Sequence, residues 1–462
     1  MSEILSHYHK VNPTTWVYLS SLLMIALFFK FSRVWSVRNL DLIGLIMLAP
    51  GLLCVVYGRE LGQAAILQVG YIWLFSVGGF FLLRMLLDPL MVRRPLLEPN
   101  LSVGGLTFLG ISLLIFLMAN VVTDKPDNED LAATSGKAQV VATDPESQEK
   151  AAAERFAKQG PGFPLLSYIP SISTRIFVDA SDASSGAGSG QVDHRAIEVD
   201  TQKKANMATA RTMAILSQLA IVIGMVVIGY RHFDNVKTGI AASVVYLLLP
   251  YTALMKSGVT HVLPAALLVW AILCYRRPTA SGVLMGLAIG VNYYPMFLLP
   301  LWIAFYWQRG LGRFLSGVVS MLLVLTAVLY FSSQGLAEFT ANLRQMYGFM
   351  WPTMEPVGFW KLSFNEPVYR IPVLAAFVAM CGSLAIWPAQ KNLGTLLSCS
   401  AAVMLGTQFW NAHGGGEYMA WYLPLLLLTI FRPNLEDRVA LSVLGEWRAR
   451  RKIHLAAIDR AA

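Results

Sequence analysis

Residues 102–130 read SVGGLTFLGISLLIFLMANVVTDKPDNED. The run is uncharged up to Thr123 and is then closed by Asp124, Lys125, Asp127, Glu129 and Asp130. An apolar run of about 17–25 residues is what crosses roughly 30 Å of hydrocarbon. Lipid offers the backbone no partner, so such a run satisfies its N–H and C=O groups internally and forms a helix. Similar runs recur on both sides of this one. Between Thr123 and Arg211 the chain makes a single long polar excursion, which holds nearly half of the 27 acidic residues.

Composition fixes the class. The 462 residues are 56% hydrophobic and 14% charged, with a mean hydropathy of +0.55, which excludes an ordinary soluble domain. The expected fold is all-α: a polytopic transmembrane helical bundle of about 13 membrane segments, some short or re-entrant, with one long extracytoplasmic loop. Spans fall near 15–31, 41–57, 66–84, 102–122, 211–230, 238–255, 259–275, 280–292, 295–307, 314–333, 370–388, 393–411 and 417–431. The segments 280–292 and 295–307 are too short to cross alone, and they meet at Asn292-Tyr293-Tyr294-Pro295, read as a helix-breaking turn within the membrane. Four parts follow: membrane helices over 1–122, an extracytoplasmic loop over 123–210, a membrane core over 211–431 and a basic cytoplasmic tail over 432–462. The first apolar run is followed by Lys30-Phe31-Ser32-Arg33 rather than by a small-residue cleavage site, so it reads as a retained anchor. Cys54, Cys274, Cys381 and Cys399 all lie in apolar runs without metal-ligand spacing and read as small core residues.

The formal charge of +9 does not point to nucleic acid, because the cations sit in short loops beside spans and in the tail. One set of loops holds Lys30, Arg33, Arg38, Arg84, Arg93, Arg94, Arg231, Lys237, Arg276, Arg277, Arg309, Arg313 and Lys391. The opposite loops hold little beyond Arg59, Lys256, Arg344, Lys361 and Arg370. The positive-inside rule places the first set, with the tail, in the cytoplasm. With thirteen spans, the N-terminus, the long loop, the 292–295 turn, residues 334–369 and residues 411–417 then share the outer side. The long loop itself divides into an acidic start, a short helix over 145–158, an apolar Gly- and Pro-rich stretch over 160–170 suited to the lipid interface, and a flexible Ser-, Gly-, Asp- and Lys-rich tether over 179–206.

From Ala210-Arg211-Thr212-Met213 the chain runs through Arg231, Gly239 to Pro250, Gly258, His261, Arg276-Arg277-Pro278, Gly282, Gly286 and the 292–295 turn to Pro300 and Arg313. This Gly, Pro and Arg pattern resembles the middle of the GT-C superfamily of membrane glycosyltransferases, especially polyprenyl-phosphate-sugar-dependent mannosyl- and arabinosyltransferase-like proteins. It covers about a quarter of the chain (210–313). The resemblance implies a bacterial-type inner membrane, a polyprenyl-phosphate-sugar lipid donor, and an acidic residue beside the membrane in a large outer loop. The residues in that place are Asp124, Asp127, Glu129 and Asp130. The family's loop follows its first span, whereas three spans precede the matching one here.

Sugar transfer from a lipid phosphate needs a carboxylate to take the acceptor's proton and a cation or metal to stabilise the departing phosphate. Asp124, Asp127, Glu129 and Asp130 fit the first need, or are a solvated start of the loop. Lys256 and His261, in Lys256-Ser257-Gly258-Val259-Thr260-His261, either pair with phosphate or snorkel to headgroups. Asn292 and Tyr294 line a cavity or anchor the chain at the interface. The aromatics of 334–369 and Arg370 suit a sugar or headgroup, and an aromatic belt explains the rings nearly as well. Asn411-Ala412-His413-Gly414-Gly415-Gly416-Glu417-Tyr418 combines a close-approach glycine run with His413 and Glu417, a two-ligand metal candidate or simply a tight reversal. The motifs assign no cofactor outright and leave a divalent metal as a candidate; membrane lipids are the remaining partners. The competing classes are a transporter or flippase, which would show mid-span charges and matching halves, and a non-enzymatic scaffold, whose outer polar groups would scatter instead of converging.

Overall fold

The computed structural model describes residues 12–91, 97–123, 194–254, 258–333, 358–361, 367–389, 391–410 and 418–433, together with positions 162, 166, 335, 336, 339, 340 and 343. Among the described residues no strand occurs. The helices are α1 Pro13–Phe28, α2 Val37–Glu60, α3 Ala64–Leu87, α4 Val103–Thr123, α5 His194–His232, α6 Val236–Leu248, α7 Pro250–Leu254, α8 Val259–Leu273, α9 Pro278–Val291, α10 Leu299–Tyr306, α11 Leu311–Ser332, α12 Arg370–Ile386, α13 Leu393–Trp410 and α14 Leu423–Phe431. Six of them (α2, α3, α4, α5, α11 and α13) are long and apolar enough to cross a membrane. Six shorter apolar segments accompany them, one formed by the turn Tyr294–Leu298 running into α10. An all-helical chain with six candidate spans is what a multi-pass membrane protein requires.

Local chemistry sets the helix starts. Asn12, Ser36 and Asn235 each accept a hydrogen bond from a first-turn backbone N–H of α1, α2 and α6. At α13 the capping is reciprocal: Asn392 Oδ1 accepts from the Thr395 N–H at 2.8 Å, and Thr395 Oγ1 accepts from the Asn392 N–H at 2.7 Å. One expectation is corrected here. The helix entering the core starts at His194, not near 211, so the tether predicted over 179–206 gives way to helix in its last part. The sequence 202–210, Gln-Lys-Lys-Ala-Asn-Met-Ala-Thr-Ala, is rich in strong helix formers, and it continues the apolar helix without a break.

Helix α13 is the axis of the bundle. Nearly every one of its residues is buried, including Ser398, Ser400, Thr407 and Gln408. These polar groups are held within the protein: Trp302 Nε1 donates to Ser400 Oγ at 3.1 Å, and Thr407 Oγ1 to the Met404 carbonyl at 2.7 Å. In contrast, α3, α4 and α11 leave Phe80, Leu83, Phe108, Ile115, Leu323 and Phe331 exposed, the pattern of helices whose outer faces meet lipid.

Helices α9 and α11 touch through glycines. Gly282, Gly286 and Gly290 recur every fourth residue, so they form one stripe along α9. A Cβ on Gly286 would lie 2.9 Å from the Val318 carbonyl oxygen, and one on Gly282 would overlap the Phe314 carbonyl. Gly317 answers from α11, against Thr279 and Val283. Small residues let membrane helices approach to van der Waals contact of their backbones, which is the main attraction available without water.

A buried ionic network joins distant segments at one end of the bundle. The Arg84 guanidinium meets Asp41 twice, Nε to Oδ1 at 2.9 Å and Nη2 to Oδ2 at 3.0 Å. Its Nη1 reaches Asp88 Oδ1 at 3.0 Å, and Arg432 Nη2 reaches Asp88 Oδ2 at 2.7 Å. All four side chains are buried. Gly394, in the first turn of α13, leaves the space occupied by the Arg432 guanidinium. Sequence reasoning counted Arg84 and Arg432 as loop and tail cations; the structure places both in this network. Two acidic and two basic groups neutralise one another, which is the condition for burying charge. The same end gathers other reversals: Arg309 Nη1 donates to the Lys391 carbonyl at 2.8 Å, and Tyr306 Oη to the Tyr275 carbonyl at 2.7 Å.

Asp88→Ala leaves Arg432 buried without its carboxylate, and thermal unfolding in detergent should show a loss of about 3 kcal/mol. The double change Asp88→Leu with Arg432→Leu should recover most of it; equal losses in both would contradict the pairing. Gly282→Leu forces α9 from α11 and should cost about 3 kcal/mol or more. Gly382→Ala, whose Cβ meets nothing within 4 Å, is the neutral control in the same unfolding measurement.

Candidate functional site

The opposite end of the bundle is aromatic. Helix α9 stops at Asn292, whose backbone turns extended (φ −149°, ψ 136°) and whose Oδ1 accepts from the Tyr294 N–H at 3.2 Å. Pro295 then opens a short 3-10 segment that leads into α10. Each of these two apolar pieces is too short to span the hydrocarbon: α9, with 14 residues, is about 21 Å long. Asn292 and Tyr294 are both buried at this break.

The Tyr294 ring is the hub of a cluster drawn from separate segments. Its centroid lies 4.4 Å from Trp421 and 6.0 Å from Trp410. Trp421, in the turn Met419–Trp421 that precedes α14, stacks on Tyr418 at 5.1 Å and 18°. Tyr418 in turn stacks on His261 at 4.0 Å and 28°. Phe297 and Phe377 close the far side of Trp410, at 5.8 and 5.9 Å. Offset rings at these separations attract one another beyond the area they bury.

Among the described residues, one arginine enters this cluster. Arg370, the first residue of α12, is buried and donates through Nε to the Trp410 carbonyl at 3.2 Å, within electrostatic reach of Tyr293 and Tyr294. The last carbonyls of a helix lack partners within it, and the negative end of its dipole favours a cation. Arg370 therefore serves the C-terminus of α13, where Trp360 Nε1 also donates to the Phe409 carbonyl at 2.8 Å. Gln408 Nε2 crosses to the Tyr418 carbonyl at 3.4 Å.

The long loop reaches the same end at two described positions. A Cβ on Gly162 would come within 3.0–3.1 Å of the Gly290 and Val291 backbone, next to the Asn292 break. Leu166 packs with Val121, Met213, Ala214, Val259 and Val291. The stretch 160–170, expected at the lipid interface, meets protein at both points.

Of the residues singled out in the sequence, His261, Asn292, Tyr294 and Arg370 are brought together. Asp124, Asp127, Glu129, Asp130, Lys256, His413 and Glu417 lie outside the described residues. Sequence reasoning missed Gln408, Trp410 and Trp421 and did not separate Tyr418 from its motif. The available signal was position: an indole stands at each side of the Gly-rich stretch 411–417. Among the described residues no group of three His, Cys, Asp or Glu is placed to hold a metal. The indole N–H groups of Trp410 and Trp421 and the amide oxygen of Gln408 are buried with no hydrogen-bond partner among the described residues. An unsatisfied buried polar group costs about 1–3 kcal/mol, so three around one ring cluster require a reason.

Chemically the arrangement offers flat aromatic faces, two N–H donors, an amide acceptor and one guanidinium. Arg370→Met removes the charged hydrogen bond to the α13 terminus, and the unfolding free energy should fall by about 2 kcal/mol. Unfolding in detergent checks this; an unchanged midpoint would show that the Trp410 carbonyl does not depend on Arg370.

No protein-family model matches the chain, and no curated protein or solved structure resembles it at a significant level.

Proposed function

We propose that this protein is an integral membrane glycosyltransferase of the GT-C type, moving a sugar from a polyprenyl-phosphate donor to a lipid, glycan or protein acceptor at the outer face of a bacterial-type inner membrane. The observation that carries the reading is convergence. His261, Asn292, Tyr294 and Arg370, each marked in the sequence for its chemistry, lie on three different stretches of chain and meet in one aromatic cluster. Scattered groups would have favoured a scaffold. The shorter apolar helices, added to the six long ones, fit the reading of about 13 membrane segments, with the basic end cytoplasmic and the aromatic end outside.

The division of labour follows from the chemistry. A carboxylate among Asp124, Asp127, Glu129 and Asp130 takes the proton of the acceptor hydroxyl as the new glycosidic bond forms. The Arg370 guanidinium, assisted by Lys256 or His261, offsets the charge of the departing lipid phosphate. The break at Asn292 lets irregular backbone stand beside the substrate, where polar atoms are tolerated only if they line a cavity. His413 and Glu417 are the positions at which a divalent metal would be sought.

The test is transfer of radiolabelled sugar from a polyprenyl-phosphate donor in membranes with and without the protein. Replacing Asp124, Asp127, Glu129 and Asp130 together by Asn should lower transfer at least about 100-fold. Undiminished transfer would remove the base from this segment, and no transfer by the wild type would reject the function.

A further inference from the structure

We infer that Trp410, Trp421 and Gln408 form the hydrogen-bonding wall of a subsite for a neutral polyhydroxylated ring, a glycosyl unit, whose face stacks on Tyr294 and Tyr418. The inference deepens the transferase reading and rests on it for the identity of the sugar as substrate. It starts from the three buried polar atoms that have no partner among the described residues: Trp410 Nε1, Trp421 Nε1 and Gln408 Oε1. Their side chains are 8%, 2% and 3% exposed, so bulk water does not satisfy them. They surround the same rings: Tyr294 contacts both indoles, and the Gln408 amide lies against the Tyr418 backbone.

The mixture of donors and acceptor selects the ligand. Two indole N–H groups ask for acceptor atoms, which a phosphate or a sugar would supply equally. The Gln408 oxygen asks for a donor, which a fully ionised phosphate lacks and a hydroxyl group has. A pyranose supplies both kinds of group along its edge and presents C–H faces to aromatic rings. Arg370, already engaged with the Trp410 carbonyl, lies at the rim of this cluster and is the natural partner for a phosphate attached to that ring.

The experiment uses the full-length protein in lipid nanodiscs, with saturation-transfer NMR to methyl α-D-mannopyranoside, methyl β-D-glucopyranoside and inorganic phosphate. Wild-type protein should transfer saturation to the ring protons of at least one glycoside, and inorganic phosphate should not displace it. Trp410→Phe and Trp421→Phe keep the ring and remove the N–H, and each should weaken glycoside binding about fivefold to tenfold. Gln408→Met keeps the volume and should act likewise, giving a third reading should an indole variant fail to fold. Absence of saturation transfer to either glycoside, equal binding in folded variants, or displacement by phosphate would each overturn the subsite. Sugar transfer by the wild type with unaffected variants would reject the subsite alone. Glycoside binding without any transfer by the wild type would reject the transferase reading and leave the subsite standing.

Discussion

The bundle depends on one buried set of charges. Arg84 holds Asp41 with one side of its guanidinium and Asp88 with the other, and Arg432 completes Asp88 from the far end of the described chain. In an environment without water each member would be expensive alone, and the four are tolerable because they cancel. The consequence is connectivity: the network clamps α2, α3, the end of α14 and the start of α13 into one corner. Phe28 packs edge-on to Phe431 at 5.5 Å beside it, so α1 is fixed to the same corner. With that end fixed, the close glycine contact of α9 with α11 and the reciprocal cap of α13 set the direction in which the core helices run.

The opposite end is organised by aromatic packing in place of charge. There α9 and α13 both terminate: Asn292 Oδ1 accepts from the Tyr294 N–H and holds the turn that follows α9, while the last α13 carbonyls are answered from elsewhere by Arg370 and Trp360. The asymmetry has a functional meaning. The ionic network is rigid because its four charges cancel, although Arg432 Nε is left without a partner, whereas the aromatic end gathers three buried polar atoms without partners among the described residues, at the place where the marked residues meet.

Much of this was legible in the sequence. Uncharged runs announce helices because lipid leaves the backbone no alternative, and the Asn292-Tyr293-Tyr294-Pro295 break is written in residues that stop a helix. His261 and Arg370 stood out as ionisable groups at span ends. The ionic network was not legible, because Arg84 and Arg432 look like loop cations until a carboxylate 344 residues distant from Arg432 is placed beside it. Trp410 and Trp421 were passed over in the sequence for a related reason: an indole's role depends on whether its N–H meets water, and only packing decides that. The start of α5 was misread because polar helix formers over 194–206 resemble a solvated tether when composition alone is weighed.

The central claim is that the aromatic end holds a lipid-linked sugar. Photo-crosslinking in native-like membranes tests it most directly, using a polyprenyl-phosphate sugar that carries a diazirine on the glycosyl ring, followed by peptide mapping. The account predicts adducts concentrated on the segments bearing Tyr294, Trp410, Tyr418 and Trp421. Adducts confined to the basic end around Arg84 and Arg432, or spread evenly over lipid-facing α4 and α11, would contradict it.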